Sequence, residues 1–251
     1  IFMKTIAVIP ARIGSSRFPG KPIAKILGRP MIEHIYKRVA MSKSLHATYI
    51  ATCDEEIREV AQGFGAQVIM TADTHERASD RVAEAVEKLD ADLIVMVQGD
   101  EPMTHPDMID AAIAPFENNP GLGCVNLVRK IDNEADYMEF NTIKVVMNRQ
   151  NDALYMSRRP IPSLAKSGFV NTDAYKQVCI IPFRREILFQ YTNLSPTPLE
   201  QLESVDMLRL LEHGLAVRMV HTEFNTQAVD TPADLAKVEK LMNDDLLLSR
   251  Y

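Results

Sequence analysis

The sequence predicts an α/β fold with a mostly parallel central sheet and helices on both faces. Three observations carry that prediction. Short β-branched or apolar runs alternate with helix-periodic stretches through the first half of the chain. The run Leu93-Ile94-Val95-Met96-Val97 is apolar without alternation, as in a strand covered on both faces. A loop bearing Gly, Ser and Pro follows the first run, at the place where such sheets receive ligands.

The elements follow in order. Lys4 to Ile9 reads as a strand ending at Pro10, and Ala11 to Pro22 as a loop. Met31 to Ser42 carries Ile32, Ile35, Tyr36 and Val39 at helical spacing. Thr48 to Thr52 is a strand, and Asp54 an N-cap for a helix through Phe64 that Gly65 stops. Gln67 to Met70 is a short strand, Ser79 to Leu89 a helix and Asp92 to Val97 the buried strand. The second half is mixed. Gly123–Val128, Thr142–Met147, Ala153–Met156, Gln177–Ile181 and Leu215–Val220 read as strands. Leu199–His213 reads as a helix closed by Gly214, and Pro232–Leu248 as a terminal helix. Right-handed strand–helix–strand crossovers place the loops after Ile9, Met70 and Val97 on one edge of the sheet. Met3 reads as the natural start of a single domain over 3–251. Residues 132–196, with short helices and long loops, read as an inserted subdomain.

The chain has 251 residues, 46% hydrophobic and 25% charged, with net charge −6. Those are globular values, and they exclude a disordered chain or a coiled coil. The acidic balance disfavours a nucleic-acid partner and an anionic-membrane partner. No stretch approaches the 18 or so apolar residues of a membrane span, and no secretory signal is read at the start. The three cysteines, Cys53, Cys124 and Cys179, form no CxxC pair. They read as reduced thiols in a cytoplasmic protein.

The loop Pro10-Ala11-Arg12-Ile13-Gly14-Ser15-Ser16-Arg17-Phe18-Pro19-Gly20-Lys21-Pro22 has small residues whose N–H groups can cradle an anion. Arg12 offers a planar fork for phosphate oxygens and Lys21 a compact charge. It is not a Walker loop, since Pro22 stands where a hydroxyl would hold magnesium. It can equally be a surface turn with solvated cations. Asp100 follows the buried strand in Gln98-Gly99-Asp100-Glu101-Pro102, and a hard cation takes such carboxylates together with phosphate and water. Asp230, in Val229-Asp230-Thr231-Pro232, suits a metal ligand or a helix N-cap. Ser79 can cap its helix, and Glu200 and Glu203 can complement a helix dipole.

These motifs together resemble the sugar-nucleotide cytidylyltransferases, and specifically the 3-deoxy-manno-octulosonate (Kdo) cytidylyltransferase family. The resemblance runs from Pro10-Ala11-Arg12 through Lys21-Pro22, Gly28 to Ile32, Ala51-Thr52 with Asp54-Glu55, Val97 to Pro102, Lys144-Val145-Val146, Ala153 to Arg158, Pro198-Leu199-Glu200 and Val229 to Leu235. It implies a nucleotide-diphospho-sugar transferase-like fold and transfer of CMP from CTP to an acidic 2-keto sugar such as Kdo or 8-amino-Kdo, releasing pyrophosphate. It implies Mg2+ held by Asp100 and Asp230, and catalytic roles for Arg12, Lys21 and Asp100. Nucleotide contacts fall to Pro10, Ala11, Arg12, Ser15, Lys21, Arg77, Ser79, Arg81 and Gln98. Acceptor contacts fall to Gln98, Tyr155, Gln177, Glu200 and Glu203. It further implies a homodimer, to which Tyr137, Met138, Phe140 and Tyr155 of the insert would contribute. Two segments depart from the family pattern. Arg77-Ala78-Ser79 replaces Ser-Gly-Thr, and Gln177 with Ile181-Pro182 replaces a His and a Tyr-Gly. The departures leave room for another acid, such as a phosphonate. A sugar-nucleotide-dependent glycosyltransferase and a non-catalytic nucleotide-binding regulator are the other function classes.

Overall fold

The computed structural model describes residues 3–14, 18–164, 168–169 and 173–251. The strands are β1 (Thr5–Ala11), β2 (Lys25–Ile26), β3 (Arg29–Pro30), β4 (Ala47–Thr52), β5 (Gln67–Met70), β6 (Leu93–Val97), β7 (Val125–Lys130), β8 (Lys144–Met147), β9 (Ala153–Ser157), β10 (Tyr175–Val178), β11 (Ile180–Arg184) and β12 (Arg218–His221). The helices are α1 (Met31–Val39), α2 (Glu55–Gly63), α3 (Ala78–Val86), α4 (Pro106–Ile113), α5 (Glu134–Met138), α6 (Arg185–Asn193), α7 (Pro198–Glu203), α8 (Met207–Glu212) and α9 (Pro232–Met242). The chain divides into two compact units, Ile1–Asp110 with Asn225–Tyr251, and Ala111–Phe224. Residues 132–196 fall inside the second.

In the first unit, neighbouring strands run β6-β1-β4-β5 and every pair is parallel. All residues of β1 and β6 are buried. Successive strand side chains point to opposite faces, so burial of all of them means that both faces are covered. Helix α1 buries Met31, Ile32, Ile35 and Val39, spaced as the sequence predicts. Strand β1 runs one residue past Pro10, to Ala11. Its β6 ladder ends at Val8, so Pro10 is paired on the β4 side alone. A proline there interrupts no two-sided ladder.

The second unit holds a sheet of order β12-β7-β10-β8-β9. Strand β12 is parallel to β7, and the β7–β10, β10–β8 and β8–β9 pairs are antiparallel. Parallel pairing therefore dominates the first unit and antiparallel pairing the second. The predicted strand Gln177–Ile181 is two strands, broken at Cys179. In β10 three of the four residues are half-buried, whereas Ile180 to Phe183 of β11 are fully buried. The predicted helix Leu199–His213 is also two, α7 and α8. The terminal helix ends at Met242, and residues Leu246–Arg250 form a tighter 3₁₀ turn capped by Asp245.

Candidate active site

Three chain segments build the acidic end of the site, all within the first unit, and residues 75–81 add a further wall. Strand β1 delivers Pro10, Ala11 and Arg12 at its carboxyl end. Ile13 N–H donates to the Asp54 carboxylate at 2.7 Å, which ties the loop to the end of β4. Asp54 precedes α2 as predicted, but its side chain makes no capping bond. Gly20 closes the loop with a left-handed φ of 72°, a conformation that costs a side-chain-bearing residue energy. The short turn Lys21–Ile23 follows.

Strand β6 delivers Gln98-Gly99-Asp100. A Cβ on Gly99 would lie 2.8 Å from the Pro10 carbonyl oxygen. Only glycine lets this segment approach the first loop so closely. Val229 N–H donates to the Asp100 carbonyl at 2.9 Å. That bond stitches the third segment, with Asp230, to the second.

Lys21 lies where the three meet. Its ammonium donates to the Val229 carbonyl at 2.8 Å and lies 3.4 Å from Asp100 Oδ2 and 3.6 Å from Asp230 Oδ1. The Lys21 side chain is 14% exposed, Asp100 31% and Asp230 25%. Desolvation lifts the Asp100 carboxyl above the usual carboxylate range; Lys21 pulls it back and Asp230 pushes it further up. Asp230 is not the helix cap. Thr231 caps α9, in a reciprocal capping box with Asp234. The Asp230 carboxylate is thereby left to face Lys21.

These residues line a cavity of about 340 Å³, within the range of small-molecule sites. Its walls include Pro10, Ala11, Arg12, Lys21, Arg77, Arg81, Gln98, Asp100 and Asp230, nine of the positions predicted from sequence. Arg81 is buried and braces the wall, donating to the Thr71 hydroxyl at 2.5 Å and the Ala72 carbonyl at 3.2 Å. His75 on the same wall contacts Glu84, whose carboxylate also accepts from Ala72 N–H. Ser79 is buried and does not line the cavity, and Arg77 rather than Ser79 is the N-cap residue of α3. Ser15 lies outside the described residues. His75, Glu76 and the Asp54 brace were not singled out from sequence as site residues. The Asp54 contact depends on β1 and β4 being neighbours, which no local spacing reveals.

The residues expected at the acceptor, Gln98 apart, lie in the second unit. Glu203 accepts from Tyr155 OH at 3.1 Å, Ser157 Oγ at 2.8 Å and Arg158 N–H at 2.9 Å. Burial alone would lift its carboxyl, yet these three bonds hold it below the usual range. Glu200 is buried and receives two bonds from Arg209, at 2.8 and 2.9 Å, and one from Thr197 N–H at 3.1 Å. Gln177 donates its side-chain amide to Asn126 Oδ1 at 2.6 Å.

A cavity lined by Arg12, Lys21, Arg77 and Arg81 together with Glu76, Asp100 and Asp230, at the carboxyl ends of parallel strands, suits a phosphorylated ligand with a hard cation. The cytidylyltransferase family matches residues 6–242. The 3-deoxy-manno-octulosonate cytidylyltransferase of Geobacter metallireducens is 44% identical over 95% of this chain and 98% of its own. That of Geobacter sulfurreducens is 41% identical over 95% of this chain and 100% of its own. Among solved structures, a CMP:2-keto-3-deoxy-manno-octonic acid synthetase complexed with CTP superposes with a TM-score of 0.91 at 39% identity, covering 97% of this chain and 100% of that one. A cytidylyltransferase from Leptospira borgpetersenii shares the fold, with a TM-score of 0.66 at 18% identity over 97% of this chain and 88% of its own. Neither a glycosyltransferase nor a non-catalytic regulator is favoured by these matches. The chain belongs to the 3-deoxy-manno-octulosonate cytidylyltransferase family.

Proposed function

We propose that the chain transfers CMP from CTP to 3-deoxy-manno-octulosonate and releases pyrophosphate. The observation that carries this reading is a cavity lined by Arg12, Lys21, Asp100 and Asp230 together, with Lys21 within 3.6 Å of both acids. The anomeric hydroxyl of the sugar acid attacks the α-phosphorus of CTP in line. The bond to the β-phosphate oxygen breaks, and the hydroxyl proton is lost to solvent. Arg12 and Lys21 bind phosphate oxygens and neutralise the charge that passes to pyrophosphate. Pro10, Ala11 and Ser15 belong to the same phosphate loop. Arg77, Arg81 and Gln98 set the remaining nucleotide wall, while Ser79, buried in the first turn of α3, contributes no part of it; Gln98 also serves the acceptor. Tyr155 and Gln177 are assigned to the sugar acid. Glu203 holds the Tyr155 hydroxyl, and Glu200 fixes α7 through Arg209.

Asp100 and Asp230 suit Mg2+: hard oxygen donors, too few to cage an ion without phosphate and water. Bound there, the ion would supply Lewis-acid stabilisation of the phosphoryl oxygens. The chain's own part is positioning and charge, with no covalent intermediate. The reading extends to a homodimer in the cytoplasm. Exposed Met138 and Phe140 on the second unit support an interface.

Pyrophosphate release measured with CTP, UTP, ATP and GTP, each with the sugar acid and Mg2+, tests the assignment. CTP with the sugar acid gives turnover, and the purine triphosphates give little. Equal turnover with a purine triphosphate overturns it. Light scattering at micromolar concentration reads twice the mass of one chain if the dimer forms.

A further inference from the structure

We propose that Lys21 is the resident cation of the acid pair, and that it keeps a divalent ion out until a nucleoside triphosphate draws it away. The inference rests on the assignment of Asp100 and Asp230 to a metal. A divalent ion then enters with the nucleotide rather than before it.

The geometry is that of a stand-in. The Lys21 ammonium lies within 3.6 Å of a carboxylate oxygen on each acid, with the Val229 carbonyl as a third oxygen at 2.8 Å. Three oxygens converge on one positive centre. Two carboxylates this close to each other and partly withdrawn from water repel unless a cation lies near both. Lys21 supplies one. The same position suits a hard cation, which requires direct oxygen contact at roughly 2.0–2.6 Å. An ammonium in that space blocks the contact and adds charge repulsion.

The lysine is also built to leave. Its backbone is fixed by the turn that follows left-handed Gly20. Its four-carbon stem is flexible and its ammonium is a point charge without directional demands. A triphosphate entering the cavity brings more negative charge than the two acids hold. The ammonium then has a better partner on the phosphates, and the acids become free for the ion that the nucleotide carries. One side chain thus serves the empty site as a counter-ion and the loaded site as a phosphate ligand.

The test is Mn2+ binding to the nucleotide-free protein, read from the electron paramagnetic resonance signal of free Mn2+. The unchanged protein shows no saturable binding below the millimolar range. Lys21→Met gains one site, tighter than any the unchanged protein shows by roughly tenfold or more, as expected for removing a unit charge at this distance. Lys21→Ala gains the same site, which guards against a folding defect in either variant. Adding Asp230→Asn to Lys21→Met removes it. The proposal is overturned if the unchanged protein binds Mn2+ as tightly as Lys21→Met, or if neither binds. Pyrophosphate release by the unchanged protein, and its loss in Asp100→Asn, reads the underlying assignment separately. Activity without a gain of Mn2+ affinity in Lys21→Met overturns the role of Lys21 alone, whereas absence of activity overturns the assignment.

Discussion

Asp230 and Thr231 are neighbours with separate tasks. Thr231 accepts from Asp234 N–H at 3.2 Å, and Asp234 in turn accepts from Thr231 N–H at 2.9 Å. Asp230 contributes no oxygen to that cap and turns its carboxylate to Lys21. Thr231→Ala therefore costs about 1 kcal/mol of stability, measurable by urea unfolding. Asp230→Asn weakens the attraction to Lys21 and relieves the repulsion with Asp100. It leaves the apo-protein's thermal midpoint nearly unchanged, because a partly exposed substitution of this kind stays within about 0.5 kcal/mol. It abolishes pyrophosphate release all the same. If Asp230→Asn melts several degrees lower and still turns over, the carboxylate is structural after all. Lys21→Ala has the opposite emphasis to Thr231→Ala: it lowers the rate on the order of 100–1,000-fold, as loss of one preorganised charge does, with a smaller effect on folding. Steady-state turnover beside a melting curve separates the two effects.

At the scale of elements, sequence spacing located β1, β4, β5, β6, α1, α2, α3 and α9 of the first unit, because their periodicity is local, and missed β2, β3 and α4. Met31 to Val39 places its apolar residues on one helical face whatever surrounds it. The misreadings arise where a distant residue decides. Residues 199–213 keep helical periodicity throughout, yet Ser204 adopts φ 52° and the helix breaks. Arg158, directly after β9, serves the carbonyls at that break: it donates to the Glu203 carbonyl at 2.8 Å and the Ser204 carbonyl at 3.1 Å. Nothing in 199–213 announces Arg158. The site was legible to a similar depth. Arg12, Lys21 and Asp100 stand out at strand ends and take their roles from the family resemblance, whereas the bond from Val229 N–H to the Asp100 carbonyl joins positions 129 residues apart. Where α7 meets α8, the buried Glu200–Arg209 pair makes a sharp prediction. Glu200→Gln leaves the Arg209 guanidinium buried without its counter-charge. Breaking a buried pair in this way costs about 3–5 kcal/mol. Urea unfolding followed by far-UV circular dichroism shows a lowered midpoint; a midpoint within error of the unchanged protein contradicts the pairing.

At the scale of the whole first unit, the last residues return to the first helix. Tyr251 OH and His34 Nδ1 are 2.8 Å apart, and Arg38 Nε donates to the same hydroxyl at 2.9 Å. His34 Nε2 reaches the Ile26 carbonyl at 2.8 Å, and Arg38 pairs with Asp245 at 2.6 Å. One proton arrangement satisfies every contact: Nε2–H donates to Ile26, Arg38 donates to the hydroxyl, and the hydroxyl donates to a bare Nδ1. The imidazole is then neutral. Burial lowers the His34 pKa below its ordinary 6.5; the Ile26 bond opposes that shift, Arg38 and Arg29 add to it, and Asp245 opposes it. The sign of the linkage follows. Between the folded-state pKa and 6.5 the unfolded chain holds more protons, so stability is lost as pH falls below 6.5 and is fully present above it. Protonation would also place a second donor at Nδ1 against a hydroxyl that already accepts from Arg38. His34→Gln keeps an amide donor for Ile26 but cannot titrate. It is less stable than the unchanged protein at pH 7 by about 1–2 kcal/mol, the worth of an imperfectly replaced buried hydrogen bond. The gap narrows as pH falls from 6.5 towards 5, because only the unchanged protein carries the His34 penalty. Urea midpoints for both proteins at half-unit pH steps measure it. A constant gap across that window would mean that folding leaves the His34 pKa unshifted; a gap that widens as pH falls would mean that His34 is protonated in the folded protein, and the hydrogen-bond chain to Tyr251 would have to run the other way.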